Sequence, residues 1–369
     1  MYALNEMKEW MINMKICVYA ISKNEEKFVK RWYDSMKEAD EIYVLDTGSE
    51  DNTVNLLKEC GVNVKTEIIK PWRFDVARNK SLEMVPTDID ICVCTDLDEV
   101  FVPGWRKLLE NNYRKDYRVY YTYNWHMNDK GEGDVSFLLN NIHPRNNYYW
   151  LHPVHEVLTC KDIEKRITLP NIILNHFPDT TKSRGSYLKL LELSVKEDPL
   201  DDRNMHYLGR EYMYYHKWNK CIITLKKHLK LESAKWNLER AASMRYIARS
   251  YINLNKINDA IKWYKKAIEE AENVREGYVE LGILYNNQKK YLESICCLLS
   301  ALKIKNKDMF YINEVFCWNE TIFDILSLDY YYIGLYEEAL FYVNKALEYN
   351  NNDERLLNNK KLIEKEFSK

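Results

Sequence analysis

The sequence predicts two domains of different class: an α/β domain with a mostly parallel sheet, then an all-α domain of repeated helix pairs. Three observations predict this. In the first half, short apolar runs alternate with amphipathic helical stretches, the pattern of βαβ units. From about Asp201 the apolar spacing becomes purely helical and repeats itself. The chain has 369 residues, long enough for two separate cores. The implied organisation is an N-terminal extension over 1–14, the α/β domain over 15–180, a linker helix over 181–200 and the repeats over 201–369.

Each element has its own signal. Ile16 to Ile21 is an apolar run suited to a buried strand. Phe28, Trp32 and Met36 recur at four-residue spacing and mark a helix between Glu25 and Ala39. Glu41 to Asp46 is the second strand, and Thr47-Gly-Ser-Glu is a turn. Asp51 or Asn52 caps a helix to Cys60, which Gly61 stops. Val62 to Ile69 is the third strand, Asp75 to Met84 a helix, and Ile89 to Thr95 a fourth strand that ends on Asp96-Leu-Asp-Glu99. Sheets of this kind bind ligands beyond the carboxyl ends of their strands. The polar segments Ser22 to Glu25, Asp46 to Ser49 and Asp96 to Glu99 all fall there. Further on, Tyr117 to Trp125 and Val135 to Asn140 read as strands, Asn146 to His155 as an aromatic, polar stretch, and Ser183 to Lys196 as a helix bridging the domains.

The second half aligns with itself. Met205, Leu208, Gly209, Tyr212, Cys221 and Leu225 recur as Met244, Ile247, Ala248, Tyr251, Ala260 and Tyr264. The set returns as Tyr278, Leu281, Gly282, Tyr285, Ser294 and Leu298, and again as Phe323, Leu326, Ser327, Tyr330, Ala339 and Val343. Small residues recur where paired helices must approach, and large ones fill the gap between them. The offsets are 39, 34 and 45 residues. This resembles tetratricopeptide repeats, whose period is about 34, with insertions in the first and third intervals.

Composition excludes several classes. The net charge is −2 and no basic run marks a nucleic-acid footprint. No apolar stretch approaches the roughly 20 residues of a membrane-spanning helix, and Met1 to Met14 lack the continuous apolar core of a signal peptide. The nine cysteines are irregularly spaced, which points to reduced thiols in a cytoplasmic protein. Cys92 and Cys94 share a strand face and read as core fillers. Glycine and proline number only 10 and 8, as suits a helix-rich chain with compact turns.

The chemistry centres on Asp96 and Asp98. Two ionised carboxylates held together at a strand end repel each other. A hard divalent cation, Mn2+ or Mg2+, removes that repulsion and then takes phosphate oxygens. Such an ion stabilises the charge growing on a nucleoside-diphosphate leaving group as a Lewis acid. Arg78 could assist from Asp75-Val-Ala-Arg-Asn-Lys80.

With these segments in order, the first 110 residues or so resemble family-2 glycosyltransferases of the Rossmann-like GT-A fold. The resemblance rests on Ala20-Ile-Ser-Lys-Asn-Glu-Glu26, Leu45-Asp-Thr-Gly-Ser-Glu-Asp-Asn-Thr53, Asp75-Val-Ala-Arg-Asn79 and Asp96-Leu-Asp-Glu99. It implies that Ala20 and Asp46 contact the nucleobase and ribose, with Glu25 and Leu97 in the same nucleotide site. It also implies that Arg78 lies near the diphosphate and that Asp96 and Asp98 lie near the metal. Many members carry two adjacent aspartates before Gly-Ser; here Thr47 takes the second place, leaving Asp46 as the carboxylate for the base contact.

A second region, Trp150-Leu-His-Pro-Val-His-Glu156, is similar to family members fused to tetratricopeptide repeats. An inverting transfer needs a general base near the acceptor, and Glu156 or His155 is expected to serve. Asp134 and Glu99 are local alternatives. His176 is expected to complete the metal's coordination or to touch a phosphate. Trp125 and Trp150 are the expected aromatic walls of a sugar pocket.

The domain order is similar to that of S-glycosyltransferases acting on cysteine or serine of bacteriocin precursor peptides. That similarity implies a UDP-hexose donor, a peptide or protein acceptor at Cys or Ser/Thr, and a homodimer through the repeats. Two other readings stand beside it. One keeps the transferase but gives it a cell-surface polysaccharide or glycan as acceptor. The other is a repeat scaffold with an inactive transferase domain.

Overall fold

The computed structural model describes residues 14–368, apart from 129–130, 132, 134, 180, 182–184 and 308–309. The expected extension over 1–14, save Met14, and the alternative base Asp134 therefore lie outside the described residues. The chain divides into two compact units. One runs to Ser194 and takes in Phe310 and Tyr311; the other runs from Val195 onward.

The first unit begins with β1 (Ile16–Ser22), α1 (Glu26–Met36), β2 (Glu41–Asp46), α2 (Thr53–Glu59), β3 (Asn63–Thr66), α3 (Phe74–Glu83) and β4 (Ile91–Thr95). It continues with β5 (Glu99–Phe101), α4 (Trp105–Asn112), β6 (Tyr117–Trp125), β7 (Val135–Pro144), β8 (Tyr148–Leu151), β9 (Val157–Cys160), β10 (Lys165–His176) and α5 (Tyr187–Glu197). Eight strands form one sheet in the order β3-β2-β1-β4-β7-β6-β10-β5, and β8 and β9 make a separate hairpin. The four strands from β3 to β4 run parallel, as does β10 with β6, while β7 and β5 pair antiparallel with their neighbours.

β1 is central because both of its faces are covered. Ile16, Val18 and Ala20 face a core shared with Phe28, Val29, Trp32 and Met36 of α1. Cys17 and Tyr19 face the opposite core, with Cys92, Cys94, Leu82 and Trp150. An unbroken apolar run is what a strand buried on two sides requires. The strand order turns about β1 and β4, so their carboxyl ends flank the crevice where such sheets take a ligand.

Several elements differ from expectation. The third strand stops at Thr66 rather than Ile69, and β7 runs on to Pro144. The bridging helix begins at Tyr187; the expected start, Ser183, lies outside the described residues. In this unit the sequence reading lacked β5, α4, β8, β9 and β10. β10 matters most here. Its register against β6 shifts between Thr168 and Ile173, around Pro170, so its alternation is broken.

The second unit pairs α6 (Asp202–Tyr214) with α7 (Trp218–His228), α8 (Asn237–Asn253) with α9 (Ile257–Glu270), and α10 (Arg275–Asn287) with α11 (Tyr291–Lys303). Then follow a 3-10 turn (Val315–Cys317), the pair α12 (Thr321–Tyr332) and α13 (Tyr336–Leu347), and a last helix, α14 (Glu354–Phe367). The four pairs are the four aligned segments. A Cβ placed on Gly209 would lie 2.2 Å from Leu225, and one on Gly282 would lie 2.8 Å from Leu298. The small and large positions of the alignment are thus the two sides of one close helix contact. α14 puts Ile363 against Ala339 and Val343 and covers the last pair. The 45-residue interval contains the 3-10 turn, which Arg275 secures by donating to the carbonyls of Ile304 and Cys317.

Buried charge in the repeats is balanced. Arg245 donates to Glu280 at 2.6 Å, and Arg249 donates to both oxygens of Glu280 at 2.8 Å and to Glu314 at 2.5 Å. Desolvation opposes ionisation of Glu280, but Arg249 and Arg245 outweigh it and hold the carboxyl at about 2.

Candidate active site

The carboxyl ends of β1 and β2 are joined by a dense hydrogen-bonded rim. Asn24 takes a left-handed φ of 53°, its N–H donates to Ser49 Oγ, and its Oδ1 accepts from Glu50 N–H. Glu25 N–H donates to Thr53 Oγ1, and Glu26 N–H to Asp51. Thr47 donates through both N–H and Oγ1 to the Ser22 carbonyl, so it fastens β1 to the turn. Asp46 is wholly buried and accepts from Gly48 N–H, Ser49 N–H, Ser22 Oγ and Ser49 Oγ at 2.5–3.1 Å. These donors fill the lone-pair positions of a carboxylate, so Asp46 shapes the rim itself. Ala20 and Leu97, expected at the nucleotide, are buried in the apolar core, and neither side chain faces solvent.

The end of β4 carries the charged cluster. Arg78 projects from α3 and is buried. Its Nη2 donates to both oxygens of Asp96 at 2.9 and 3.1 Å, its Nε to Glu156 Oε1 at 2.5 Å, and its Nη1 to Cys94 Sγ at 3.3 Å. Arg78 thereby joins the two segments expected to hold metal and base. The rest of its motif works locally. Asp75 receives Arg73, and Asn79 makes two hydrogen bonds with the Trp150 main chain that dock α3 on β8. Desolvation raises the Asp96 carboxyl; Arg78 pulls it down, while Asp98 and Glu156 push it up again.

Glu99 lies beneath this pair. It accepts from Asp96 N–H at 2.9 Å and from Tyr123 Oη at 2.7 Å. Desolvation, reinforced by Asp96 and Asp98, pushes it up to about 8. Its carboxyl is buried and engaged on both oxygens, which suits it to holding the Asp96 main chain in place. Sequence reasoning missed its supporting role. The signal was Tyr123 of β6, one strand removed across β10, whose hydroxyl reaches it.

Missing β10 hid the setting of His176. That residue ends β10 and pairs with Glu99 in β5. Its Nε2 is 3.3 Å from Asp98 Oδ2, and its Nδ1 accepts from His126 N–H at 3.4 Å. Trp125 stacks on the ring at 4.2 Å. An Nδ1 that accepts a hydrogen bond leaves the proton on Nε2, directed at Asp98. In this tautomer His176 offers Asp98 a donor, the contact of a residue that orients the carboxylate. Asp96, Asp98 and His176 are not gathered within 4.8 Å of one another. The two aspartates do fit a cation. Both side chains are partly open, at 44% and 22% exposed, and they offer hard oxygens with surplus negative charge.

His155 and Glu156 part company. Glu156 joins Arg78, whereas the His155 ring packs edge-on against Tyr187. Trp150 is corrected as a sugar platform. It is buried, its indole donates to Tyr19 Oη at 3.0 Å, and Arg78 covers its face. Trp125 remains 41% exposed. Cys94 is a core thiol, pushed up to about 12 by burial.

The first unit is thus an α/β domain of the Rossmann-like class, with its charged cluster at the carboxyl ends of parallel strands. Residues 17–160 match the model of glycosyl transferase family 2, and residues 247–274 that of a tetratricopeptide repeat. The chain carries a family-2 glycosyltransferase domain followed by a tetratricopeptide-repeat domain. It is 42% identical over 59 residues to an uncharacterized glycosyltransferase of Rickettsia typhi, a match covering 16% of this chain and 19% of that protein. The chain spans about a fifth of the length of the curated relative it matches. Among solved structures it is similar to MamA, at 21% identity over 46% of this chain and 89% of that one, with a TM-score of 0.37. A tetratricopeptide protein of Thermus thermophilus is 19% identical over 48% of this chain and 89% of that one, with a TM-score of 0.35. The C-terminal part of a repeat protein of Cytophaga hutchinsonii is 14% identical over 50% and 66%, with a TM-score of 0.42. Among the described residues, no helix is long and apolar enough to cross a membrane.

Proposed function

We propose that the chain is a metal-dependent, inverting glycosyltransferase that moves a hexose from a UDP-linked donor to a Cys, Ser or Thr side chain of a peptide or protein in the cytoplasm. The observation that carries this is the surplus of carboxylates around Arg78 at the carboxyl end of β4, inside the family-2 domain. Asp96 and Asp98 would hold a divalent ion, Mn2+ or Mg2+. Bound there, that ion supplies Lewis-acid stabilisation of the leaving diphosphate.

The chain's own residues do the rest. Arg78 supplies a desolvated guanidinium near the phosphates, kept in place by Asp96 and Glu156. The Asn24–Ser49 rim supplies a preformed wall for the nucleoside. His176 holds the Asp98 carboxylate through Nε2–H, and Trp125 presents an apolar face for the sugar. Glu156 is the base. Arg78 occupies Oε1, which leaves Oε2 to take the acceptor's proton. The acceptor oxygen or sulfur then bonds to the anomeric carbon as that carbon's bond to the phosphate oxygen breaks. The electron pair leaves with the nucleoside diphosphate, and the configuration inverts. The repeat unit supports a peptide acceptor because stacked helix pairs of this kind form extended binding surfaces. The same surfaces suit a second copy of the chain.

The test separates donor from acceptor steps. Glu156→Gln should cut turnover by roughly 10²–10⁴-fold while UDP-sugar still raises the melting temperature in the presence of Mn2+. Full turnover in that variant removes Glu156 as the base. An absence of Mn2+-dependent UDP-sugar binding in the unaltered protein defeats the whole reading.

A further inference from the structure

The repeat unit contains a cluster that sugar transfer does not use. His206 lies on α6, His228 ends α7, and Glu239 stands in the first turn of α8. All three are buried, at 0%, 0% and 5% exposed. One ring nitrogen from each histidine and one carboxylate oxygen of Glu239 lie within 4.8 Å of one another. His228 Nε2 is 3.5 Å from Glu239 Oε1.

The hydrogen bonds of the two rings are unusual. Ser243 Oγ meets His206 Nδ1 at 2.7 Å and His228 Nδ1 at 3.0 Å. One hydroxyl thus fixes both imidazoles, and the nitrogens left over are both Nε2. Each Nε2 is buried without a hydrogen-bond partner. Buried polar atoms in native cores are as a rule satisfied by protein, water or an ion. Two orphaned imidazole nitrogens, one of them facing a carboxylate, are a donor set that lacks its acceptor.

We propose that His206, His228 and Glu239 bind a zinc ion that ties together helices from two successive repeats. Zinc takes imidazole nitrogen and carboxylate oxygen at about 2.0–2.2 Å, which in a tetrahedron places ligand atoms about 3.4 Å apart. The His228–Glu239 distance of 3.5 Å already has that spacing, and the wider members of the set, within 4.8 Å, close by a small ring movement. Ser243 is the outer-shell partner such a site needs. Its oxygen has two lone pairs, so both Nδ1–H groups donate to it and both Nε2 lone pairs turn to the metal. Three protein ligands leave a fourth position for water. The insertion in the first repeat interval, residues 229–236, supplies the turn that brings the end of α7 to the start of α8.

Cobalt(II) tests this on the full chain, stripped with chelator and then titrated. A tetrahedral site with mixed nitrogen and oxygen ligands gives a visible d–d band, which added zinc abolishes. The unaltered protein should show the band, retain about one zinc per chain after dialysis and melt at higher temperature with zinc. Asp98→Asn should behave the same, since that residue belongs to the other unit. His228→Gln and Glu239→Gln should lose the band, the retained zinc and the thermal response while keeping their helical circular dichroism. Glu239→Gln, which preserves volume, carries the test should His228→Gln fail to fold. An unaltered chain with no band and no zinc-dependent melting shift reduces the cluster to hydrogen-bonded core and overturns the proposal. A band that survives Glu239→Gln, or vanishes with Asp98→Asn, overturns it too by placing the ion elsewhere.

Discussion

Each unit buries arginine among carboxylates, and the two do it in opposite ways. In the repeats, Arg245 and Arg249 face Glu280 and Glu314, and the charges cancel. In the sheet domain, Arg78 faces Asp96 and Glu156, with Asp98 and Glu99 close behind. There the charges do not cancel, and burial beside Asp96 and Asp98 pushes the Glu99 carboxyl up. The balanced network is what holding a fold requires. Under the proposed function, the unbalanced one is where a divalent ion would add its charge. A structural ion pair and a candidate site can therefore be told apart by the sum of charges around the arginine, though both are buried and both are well hydrogen-bonded.

That distinction can be broken by experiment. Glu280→Ala leaves the buried Arg245 and the half-buried Arg249 with Glu314 alone, and its cost should be about 3 kcal/mol in urea unfolding. Unfolding at the wild-type denaturant midpoint would show the network to be dispensable. Asp98→Asn should do the reverse, lowering sugar transfer by about 10²–10³-fold with a melting temperature close to the parent's. A large stability loss with activity retained would place Asp98 among the structural charges. Gly209→Ala probes the repeats without charge. Its methyl would meet Leu225 at 2.2 Å, for a loss of about 1–3 kcal/mol after overpacking.

The smallest effect is in pH. His143 is buried, accepts from Tyr19 Oη at Nε2 and donates from Nδ1 to the Pro144 carbonyl, and burial lowers it to about 3. In the unfolded chain it titrates near 6.5. Between those values the unfolded state binds the extra proton, so this contribution is complete above pH 6.5 and is lost as pH falls. From pH 6.5 to 5.5 the loss should be about 1 kcal/mol, and His143→Gln should lack it. An equally steep decline in that variant assigns the acid sensitivity to other groups.

Much of this was legible in the sequence, for identifiable reasons. The bounds of β2 and β6 follow directly from their apolar runs, and the repeat alignment found the Gly209–Leu225 and Gly282–Leu298 contacts because close packing leaves a size pattern. What stayed hidden depended on long-range pairing. β10 contains Pro170 and a register shift, so nothing local placed His176 beside Asp98. Trp125 and Trp150 are alike as letters; only tertiary contacts put one on the surface and the other under Arg78. His206, His228 and Glu239 come from three helices with no motif spacing, and they meet only once the helix pairs have stacked.

The rim that joins Asn24, Thr47, Ser49 and Thr53 has a kinetic consequence. A wall already locked by its own hydrogen bonds has no disorder left to surrender when a ligand arrives. Encounter with a nucleoside should then proceed at the pace of diffusion and orientation, without a slow second phase in stopped-flow traces. The lifetime of the bound state, rather than the speed of capture, would set affinity, and differences between nucleosides should appear almost wholly in their rates of escape.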